Sequence, residues 1–464
     1  MQCSLCCDML EMKWKLLHIP ERENHMKYSH DTISSSIQSS DIVHWQEQLR
    51  LLHQRLRPYF TRPEPFQRAL RFFQALLSEG PRKNGWQVAE QAREATPYGM
   101  QRLLAEAVWD EHGVRDEVRR LVVETLGRES VILALDETSF PKRGEHSAGV
   151  ARQYCGTTGR VENCQVGVFL SWITAHGHSL IDRELYLPTC WTDDRQRCQQ
   201  AGIPASVPFR TKPELAIQML MRVREAHLQA DWVVADSVYG GNAALREWLE
   251  AQGQAYVGMV ACTEPIILTL PDGTLRRIEV GALPALLPEQ LAFRRLASST
   301  GPKGPRTFDW LCLPLWHRGR EDGQHFVLLR RFLAEPNSIT FALVFAPSPT
   351  SLPQLVTVAG SRWDIEEDFE NGKHIGMDHY EVRSYHGWYR YLTLVLLMLA
   401  YLLSLRIPQS AEDSPSLRER QHLLARTLFV LPSGFPLVVA WFAWRQWHGK
   451  MAATFHLRRR LKAG

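Results

Sequence analysis

Two short segments of this chain are continuously apolar, and each ends in an aspartate. They are "VILALD", residues 131–136, and "WVVAD", residues 232–236. Unbroken apolar runs of this length, rich in β-branched residues, are typical of strands buried in the interior of a sheet. Asp136 and Asp236 are therefore each predicted at the point where a buried strand emerges at an edge of the sheet.

Further strands and helices follow in an order that favours a mixed sheet. The strand-like segments "NCQVGVFLSWITA" and "HSLIDRELYLP" meander after the first buried strand. Next come a helix at residues 212–229, the second buried strand, a helix with Asn242 as its predicted N-cap, and the strand "AYVGMV". This order predicts an α/β fold of mixed α+β character, in which a mixed sheet is flanked by helices.

Changes in composition and periodicity divide the chain into six parts. The first part is serine-rich and lacks periodicity, whereas the second spaces its apolar residues three and four apart, as an amphipathic helix does. Short strands and turn signals interrupt the sheet pattern before it resumes. We therefore expect a flexible extension (1–43), a helical N-terminal domain (44–127), the first part of the sheet (128–263), a β-rich insertion (264–337), the second part of the sheet (338–407) and a helical basic C-terminal region (408–464).

The stretch "SRWDIEEDFENGKHIG", residues 361–376, is a further source of carboxylates. At 100° per residue, Arg362, Glu366, Glu370 and Lys373 share one face of the predicted helix. Helix geometry alone does not choose between the two glutamates. An exposed helix with spaced charge pairs, each worth a few tenths of a kcal/mol, would show the same pattern.

The other faces of this helix predict how it is oriented. Ile365 and Phe369 form an apolar flank that is expected to pack on the sheet. Glu367 and Asp368 point away from the charged face and are expected in solvent.

The two strand-end aspartates indicate a cation site if their strands are neighbours. A lone aspartate at a strand end is usually a turn former or a helix cap. Two on neighbouring strands bring like charges together, which is costly unless a cation bridges them. Mg²⁺ suits this position because it binds one or two carboxylates, keeps waters and accepts phosphate oxygens.

The distribution of charge favours a polyanionic partner, although the net charge is only +4. Arg458, Arg459 and Arg460 lie in a C-terminal stretch without acids, which suits DNA. A solvated tail that only aids solubility fits the same pattern. Arg82 and Lys83 precede a predicted helix pair whose outline is compatible with a helix-turn-helix, so they are further candidates for DNA contacts.

Composition favours a cytoplasmic protein without a membrane span. The chain has nine cysteines and no recognisable secretory signal, which is typical of a reduced compartment. The longest apolar run, residues 391–405, is shorter than the roughly 20 residues that cross a bilayer. It is predicted to be a buried core helix.

Two acids at strand ends and a third on a late helix resemble the catalytic residues of DDE transposases, whose core has the ribonuclease H-like fold. A β-rich insertion before the last acid is similar to one large branch of insertion-sequence transposases, which carries a Tyr-Arg-Glu-Lys signature. Arg362, Glu366 and Lys373 fall on that signature at its intervals. "LALDETSF", "RQYCGTTGRVENCQVGVFLSW" and "VADSVYGG" also look like blocks of one family in this branch. The resemblance runs from about residue 44 to the C-terminus, and it selects Glu366 over Glu370.

One position departs from the signature. Its tyrosine would fall at residue 359, where this chain has Ala359. In the family that tyrosine is associated with holding DNA phosphate near the active site. This contact is therefore lost or supplied from elsewhere, and a DNA-hairpin intermediate is not implied.

The resemblance implies a reaction, its cofactor and its partners. Asp136, Asp236 and Glu366 would hold two Mg²⁺ ions, with Mn²⁺ as the alternative ion, while Arg362 and Lys373 would position phosphates. The protein would cut DNA at terminal inverted repeats and join the freed 3′-hydroxyl to target DNA. It would act as a homodimer in a synaptic complex, in the bacterial cytoplasm, and would associate with the nucleoid when bound to DNA.

The remaining parts of the chain have expected roles in DNA recognition. Phosphate contacts position a protein without specifying sequence, so the helical domain at 44–127 is expected to read the inverted repeats. Trp310 and Trp316 in the insertion are expected in core packing, with stacking on an extruded base as the alternative.

Three other functions use some of the same features. A nuclease or resolvase of the same fold would cut DNA without strand transfer, and a transposase-derived protein could bind DNA without catalysis. A two-carboxylate glycosidase would need paired acids in an aromatic sugar cleft, and the Arg/Lys frame fits phosphate better.

Overall fold

The computed structural model describes residues 39–270, 272–287, 293–301, 304–347, 349–405 and 416–428. Arg458, Arg459 and Arg460 lie outside the described residues, and so does most of the predicted extension at 1–43. The last residues of that predicted extension, 39–43, are helical.

The first part of the described chain consists of helices, as the periodicity predicts. Asn84 caps one of them by accepting hydrogen bonds from the backbone N–H groups of Trp86 and Gln87. The elements are α1 (Ser39–Arg55), a 3₁₀ turn (Arg57–Tyr59), α2 (Pro63–Leu77), α3 (Gly85–Gln91), α4 (Tyr98–Ala105) and α5 (Glu111–Leu126).

The middle of the chain begins with four strands and then alternates helices with strands. Asn242 caps a helix by accepting from the N–H of Leu245, which confirms the predicted N-cap. The elements are β1 (Ile132–Pro141), β2 (Ala151–Cys155), β3 (Arg160–Thr174), β4 (Gly177–Leu185), α6 (Thr189–Thr192), α7 (Arg195–Gln200), α8 (Lys212–Glu225), β5 (Trp232–Ala235), α9 (Ser237–Gly240), α10 (Ala243–Ala251) and β6 (Tyr256–Val260).

The predicted insertion consists mostly of strands, and helices follow it. Ser351 and Gln354 form a capping box that begins the first of the later helices. The elements are β7 (Pro265–Thr269), β8 (Leu275–Glu279), a 3₁₀ turn (Val280–Ala282), α11 (Leu283–Leu286), β9 (Arg294–Gly301), β10 (Gly304–His317), β11 (Arg320–Arg331), β12 (Ile339–Phe345), α12 (Leu352–Gly360), a 3₁₀ turn (Ser361–Trp363), α13 (Asp364–His374), α14 (Tyr385–Ser404) and α15 (Leu417–Leu428).

One mixed sheet of ten strands organises the middle of the chain. Its core order is β4-β3-β1-β5-β6, in which β3 is antiparallel to β1 and β4, while β1, β5 and β6 are parallel. When these five strands are renumbered 1 to 5 in chain order, their order across the sheet is 3-2-1-4-5. Strand 2 of this series, β3, is antiparallel to the other four. This arrangement is consistent with the predicted ribonuclease H-like fold.

The strands of the predicted insertion extend this sheet. β12 pairs antiparallel with β6, and β11, β10 and β9 continue outward from it in that order. β7 and β8 form a separate two-stranded sheet. Most of the insertion therefore shares a continuous backbone hydrogen-bond network with the core strands, which fixes its side chains relative to them.

The chain divides into two compact units that are not consecutive along the sequence. The sheet unit comprises residues 118–370, and the described part of the helical unit comprises residues 39–117 together with the segments from 371 onward. The described C-terminal helices therefore belong with the N-terminal helices, which differs from the linear series of domains that the sequence predicts.

Helix α14 forms the core of the helical unit. It begins after Ser384, whose side chain accepts from the N–H of Gly387, and its residues from 387 to 402 are all buried. The Tyr401 hydroxyl donates to the backbone carbonyl of Trp45, at 2.7 Å. By length and composition this helix could cross a membrane, but 94% of its apolar window is buried in the protein. It has the environment predicted for a core helix.

Lys83 has a different environment from the one that its predicted role requires. Its residue is only 2% exposed, and its ammonium donates to the carbonyls of Ala75 and Ser78 at the end of α2. Burial lowers its pKa to about 8. The ammonium of Lys83 thus caps the end of α2, and its predicted contact with DNA stays a prediction that would require it to leave these carbonyls. The neighbouring Arg82 is exposed.

Candidate active site

The two strand-end aspartates lie side by side in the sheet register. β1 and β5 pair in parallel, and their last paired residues are Leu135 and Ala235. Asp136 and Asp236 each come directly after the last paired residue of their strand. Both aspartates therefore lie at the same end of the β1–β5 pairing. This placement meets the condition on which the predicted cation site depends.

Asp136 has a more buried position than a strand end would give it. β1 continues for five residues beyond it, because β3 pairs with β1 as far as Pro141. The residue is 4% exposed, and its Oδ1 accepts from the backbone N–H of Glu137 at 2.7 Å. Its carboxylate is thus held inside the sheet unit rather than in a surface turn.

Glu137, the adjacent acid, has structural partners. Its Oε1 accepts from Lys212 Nζ at 2.7 Å, and its Oε2 accepts from the Tyr239 hydroxyl, also at 2.7 Å. Side chains alternate between the faces of a strand, so Glu137 and Asp136 point to opposite sides of β1. The geometry therefore favours Asp136 as the metal ligand.

Asp236 lies at a strand-to-helix junction. It is half-buried, and it caps α9 by accepting from the N–H of Val238 at 2.9 Å. Gly240 packs α9 against β6 so closely that an added Cβ would lie 2.2 Å from the carbonyl oxygen of Met259. The glycine thus permits the close approach that positions the Asp236 junction.

Arg362 connects the third acid to the first. Its Nη1 donates to Oε1 of Glu366 at 2.9 Å and lies 3.9 Å from Oδ2 of Asp136. The guanidinium side chain is 13% exposed. Asp136 and Glu366 therefore face one cation from different elements, a central strand and helix α13.

The apolar flank of α13 contacts the sheet. Ile365 is fully buried, and Phe369 packs edge-on against Phe169 with ring centroids 5.5 Å apart. Phe169 lies on β3 directly opposite Asp136. The hydrophobic contact therefore sets the helix next to the strand segment that carries the first acid.

Asp368 is buried, which corrects the prediction that it faces solvent. It is 4% exposed, and it accepts hydrogen bonds from Ser171 on β3 and from His178 Nδ1 on β4, the latter at 2.9 Å. The helical wheel shows angles but cannot show which surfaces the sheet covers. Glu367, in contrast, has a 66% exposed side chain, as predicted.

The Asp368 contact changes the ionisation of its neighbours. Burial alone would lower the pKa of His178, but its Coulombic attraction to Asp368 and their hydrogen bond raise that pKa to about 9. Burial raises the pKa of Asp364 to about 6, against the opposing effect of His178. A charged imidazole therefore holds α13 to the sheet at neutral pH.

The remaining predicted residues of the helix are placed as follows. Glu370 is exposed, whereas Glu366 is half-buried and bonded to Arg362. Lys373 lies on the same helix as Glu366, two turns later. The geometry thus favours Glu366 over Glu370, in agreement with the choice that the signature implies.

A cavity beside Arg362 is also lined by Arg330, an arginine that the sequence does not identify as a site residue. Its lining includes Ala359, Arg362, Arg330, Trp310 and Thr340. Burial, together with repulsion from Arg362, lowers the pKa of Arg330 to about 10. Arg330 Nε donates to Thr340 Oγ1 at 3.1 Å, and no described carboxylate forms an ion pair with it. Two arginines therefore border the position of the missing signature tyrosine.

The two insertion tryptophans have protein partners. Trp310 is 2% exposed, and its Nε1 donates to the carbonyl of Leu296 at 3.3 Å. Trp316 donates to Thr269 Oγ1 at 2.8 Å. The burial of Trp310 agrees with the expected packing role and argues against stacking on a base.

The donor set suits a hard divalent cation. Three carboxylates supply only oxygen ligands, and two of them follow adjacent strands. Mg²⁺ prefers oxygen ligands of this kind, so the chemistry of the three side chains fits the predicted ions. The three acids are not among the groups of described residues whose ligand atoms all lie within 4.8 Å of one another, so their side chains would have to move closer around an ion.

Comparison with known proteins gives two matches in sequence. Residues 55–269 match a family described as DDE superfamily endonuclease, a range that includes Asp136 and Asp236. Over 164 residues, the chain is 28% identical to the "Probable transposase for insertion sequence element IS701" of Microchaete diplosiphon. The match covers 35% of this chain and 40% of that protein, so the chain spans less than half the length of this curated relative.

Among solved structures, the NurA nuclease from Sulfolobus solfataricus aligns with 54% of this chain and 81% of its own. The identity is 9% and the TM-score is 0.22. A superposition this loose carries no argument about fold or function.

Proposed function

We propose that this chain is a DNA transposase, because residues 55–269 match the DDE superfamily endonuclease family and a relative in part of the chain is named as an insertion-sequence transposase. It cuts DNA at terminal inverted repeats and then joins the freed 3′-hydroxyl to target DNA. The observation that carries this proposal is the register of β1 and β5, which sets Asp136 beside Asp236 while Arg362 links Asp136 to Glu366.

Asp136, Asp236 and Glu366 are the proposed ligands of two Mg²⁺ ions, with Mn²⁺ as a substitute. Ions held by these three carboxylates would supply activation of a water or a 3′-hydroxyl and stabilisation of the leaving oxygen in an in-line phosphoryl displacement. The chain's own contribution is to fix the three carboxylates on a strand, a strand-to-helix junction and a packed helix.

The arginines beside the acids are proposed to hold DNA phosphates. Arg362 is already oriented by Glu366, and its five donors suit a phosphate diester. Arg330 provides a second guanidinium at the position that Ala359 leaves open, because both line the same cavity. Lys373, on the later turn of α13, would contact the DNA backbone farther along.

Sequence recognition is assigned to the helical unit. Arg82 is exposed near α3 and is proposed to contact the inverted repeats. Arg458, Arg459 and Arg460 would add nonspecific phosphate contacts. Synapsis of two DNA ends would require a homodimer, acting in the bacterial cytoplasm and on nucleoid DNA.

Strand transfer is the step that tests this function. Duplexes that end in the inverted repeats flanking the gene would be incubated with the protein, Mg²⁺ and a supercoiled plasmid. Covalently joined products are expected with the parent protein and are expected to be absent with Asp236→Asn. Cleavage without joined products would contradict strand transfer and favour a nuclease. Binding without cleavage would favour a non-catalytic relative of transposases.

A further inference from the structure

The sheet unit contains a second group of metal ligands, formed by residues that the proposed reaction does not use. Glu250 lies near the end of α10, His317 ends β10, and His325 lies on β11. One ligand atom from each of these residues lies within 4.8 Å of the others. The chain reversal between β10 and β11 brings the two histidines together, although seven residues separate them.

The distances within this group are those of atoms that share a small metal ion. Glu250 Oε1 lies 3.3 Å from His325 Nε2, and Glu250 Oε2 lies 3.7 Å from His317 Nε2. Zinc binds histidine nitrogen and carboxylate oxygen at about 2.0–2.2 Å, so two ligands of a tetrahedral ion are roughly 3.4 Å apart. Small movements would therefore let these atoms bind one ion.

Neighbouring side chains hold two of the three ligands in place. His325 Nδ1 lies 2.7 Å from Asp322 Oδ2, so Nδ1–H donates to Asp322 and Nε2 is directed toward Glu250. Zinc binding would displace any proton on Nε2. The Tyr256 hydroxyl donates to Glu250 Oε1 at 2.9 Å. Metal-binding histidines and carboxylates are commonly oriented by such outer hydrogen bonds.

An independent observation is that His325 is 8% exposed and its Nε2 makes no well-aligned hydrogen bond with the described residues, although Glu250 Oε1 lies 3.3 Å away. Buried nitrogens without a partner are rare, because losing hydration without a replacement is unfavourable. A metal ion would supply the missing partner.

His317 needs a small rotation to bind the same ion. Its ring is stacked on His325 with centroids 3.8 Å apart and an interplanar angle of 9°. Parallel rings direct their lone pairs side by side rather than toward one point. The His317 side chain is 31% exposed, which leaves room for this rotation.

We propose that Glu250, His317 and His325 form a zinc site that links the β10–β11 hairpin of the insertion to helix α10. Two imidazole nitrogens and one carboxylate suit Zn²⁺ better than Mg²⁺, which prefers oxygen ligands. Water would complete the tetrahedron. The site is independent of the proposed DNA chemistry, because its ligands are distinct from the three acids and its test measures zinc binding rather than DNA cleavage.

Zinc content and binding test this site directly. The full-length protein, freed of metal with a chelator, would be titrated with Zn²⁺ after Asp136→Asn and Asp236→Asn have been introduced to weaken ion binding at the acids. His317→Gln in this background is expected to lower the stoichiometry by one ion per chain. Zinc held by cysteines would remain in both proteins.

His44→Gln is the matched control, since His44 is exposed on α1. It should leave the stoichiometry unchanged. Zinc should also raise the melting temperature of the doubly substituted protein more than that of the same protein with His317→Gln. The His317 side chain is half-exposed, so this substitution leaves the core intact. The proposal would be overturned if the proteins with and without His317→Gln bound the same number of zinc ions. It would also be overturned if the protein that retains His317 did not hold this ion at micromolar zinc.

Discussion

Arg330 is the residue whose role depends most on its surroundings. It lies on β11 opposite Thr340 of β12 and Trp310 of β10, and it shares a cavity with Arg362. Sequence alone could not identify it, because the pair Arg330 and Arg331 at the end of an apolar run forms no recognisable motif. Its two strand partners and the helix that covers it become neighbours only when the sheet forms.

Replacing Arg330 tests whether this arginine contacts DNA phosphate. Arg330→Gln should weaken binding of an inverted-repeat duplex about tenfold and reduce the slope of log affinity against log salt by about one. Titrations at several salt concentrations, with Ca²⁺ to prevent cleavage, would measure both. Arg277→Gln, an exposed arginine on β8, is the control. Unchanged affinity and slope would rule out this contact, whereas partial recovery in Arg330→Gln with Ala359→Tyr would support it.

His178 predicts a pH dependence of stability. Three carboxylates act on its ring, those of Asp364, Glu367 and Asp368, and Asp368 also accepts a hydrogen bond from Ser171. The folded pKa of about 9 exceeds the ordinary value of 6.5, so the stabilisation is fully present below pH 6.5 and is lost as pH rises through 9.

His178→Gln should therefore flatten the pH profile of the free energy of unfolding. Between pH 6.5 and 9.5, the parent should lose about 3 kcal/mol more than the variant. Urea denaturation at several pH values would measure this difference. His44→Gln, on the surface, should behave like the parent, and identical profiles for the parent and His178→Gln would exclude the ion pair.

At the scale of elements, the register of β1 and β5 is the main determinant of the site. The apolar runs before Asp136 and Asp236 made both strands predictable, because few other structures accommodate such segments. The continuation of β1 to Pro141 was not predictable from that run, since it depends on pairing with β3, some thirty residues later. The burial of Asp368 was missed for the same reason, as its partners are on β3 and β4.

The packing of α9 against β6 is a test at this scale. Gly240→Ala should destabilise the sheet unit by about 1–3 kcal/mol, because its Cβ would meet the backbone of Met259. Thermal unfolding should show a lower midpoint for this variant. A separate cleavage assay should show reduced DNA cleavage. Gly144→Ala, where an added Cβ has no neighbour within 4 Å, should melt like the parent. Equal melting of the two variants would contradict the close packing.

At the scale of the whole molecule, the chain forms two compact units, and the residues of the helical unit are not consecutive in sequence. The helical unit combines residues from before the sheet with α14 and α15. Periodicity predicted helices in both regions, but it could not predict that they belong to one unit. Contacts such as Tyr401 with Trp45 join residues more than 350 positions apart, and no local pattern encodes them.

The proposed division of labour predicts separate effects on binding and catalysis. Arg82→Ala should weaken specific binding of the inverted repeats while leaving nonspecific binding nearly unchanged. Competition titrations with unrelated DNA would measure the ratio of the two. Arg50→Ala, which removes an exposed arginine paired with Glu47, is the control. An equal specificity ratio for the Arg82 variant and the parent would contradict the assignment.

The most direct test of the central claim is Mg²⁺-dependent cleavage of an inverted-repeat duplex by five single variants. Asp136→Asn, Asp236→Asn and Glu366→Gln should each lower the single-turnover rate at least about a thousandfold while retaining DNA binding. Glu367→Gln and Glu370→Gln, on exposed positions of the same helix, should cleave at nearly the parent rate. Full cleavage by any of the first three variants, or equal loss in Glu370→Gln, would contradict the assignment of these acids to one catalytic site.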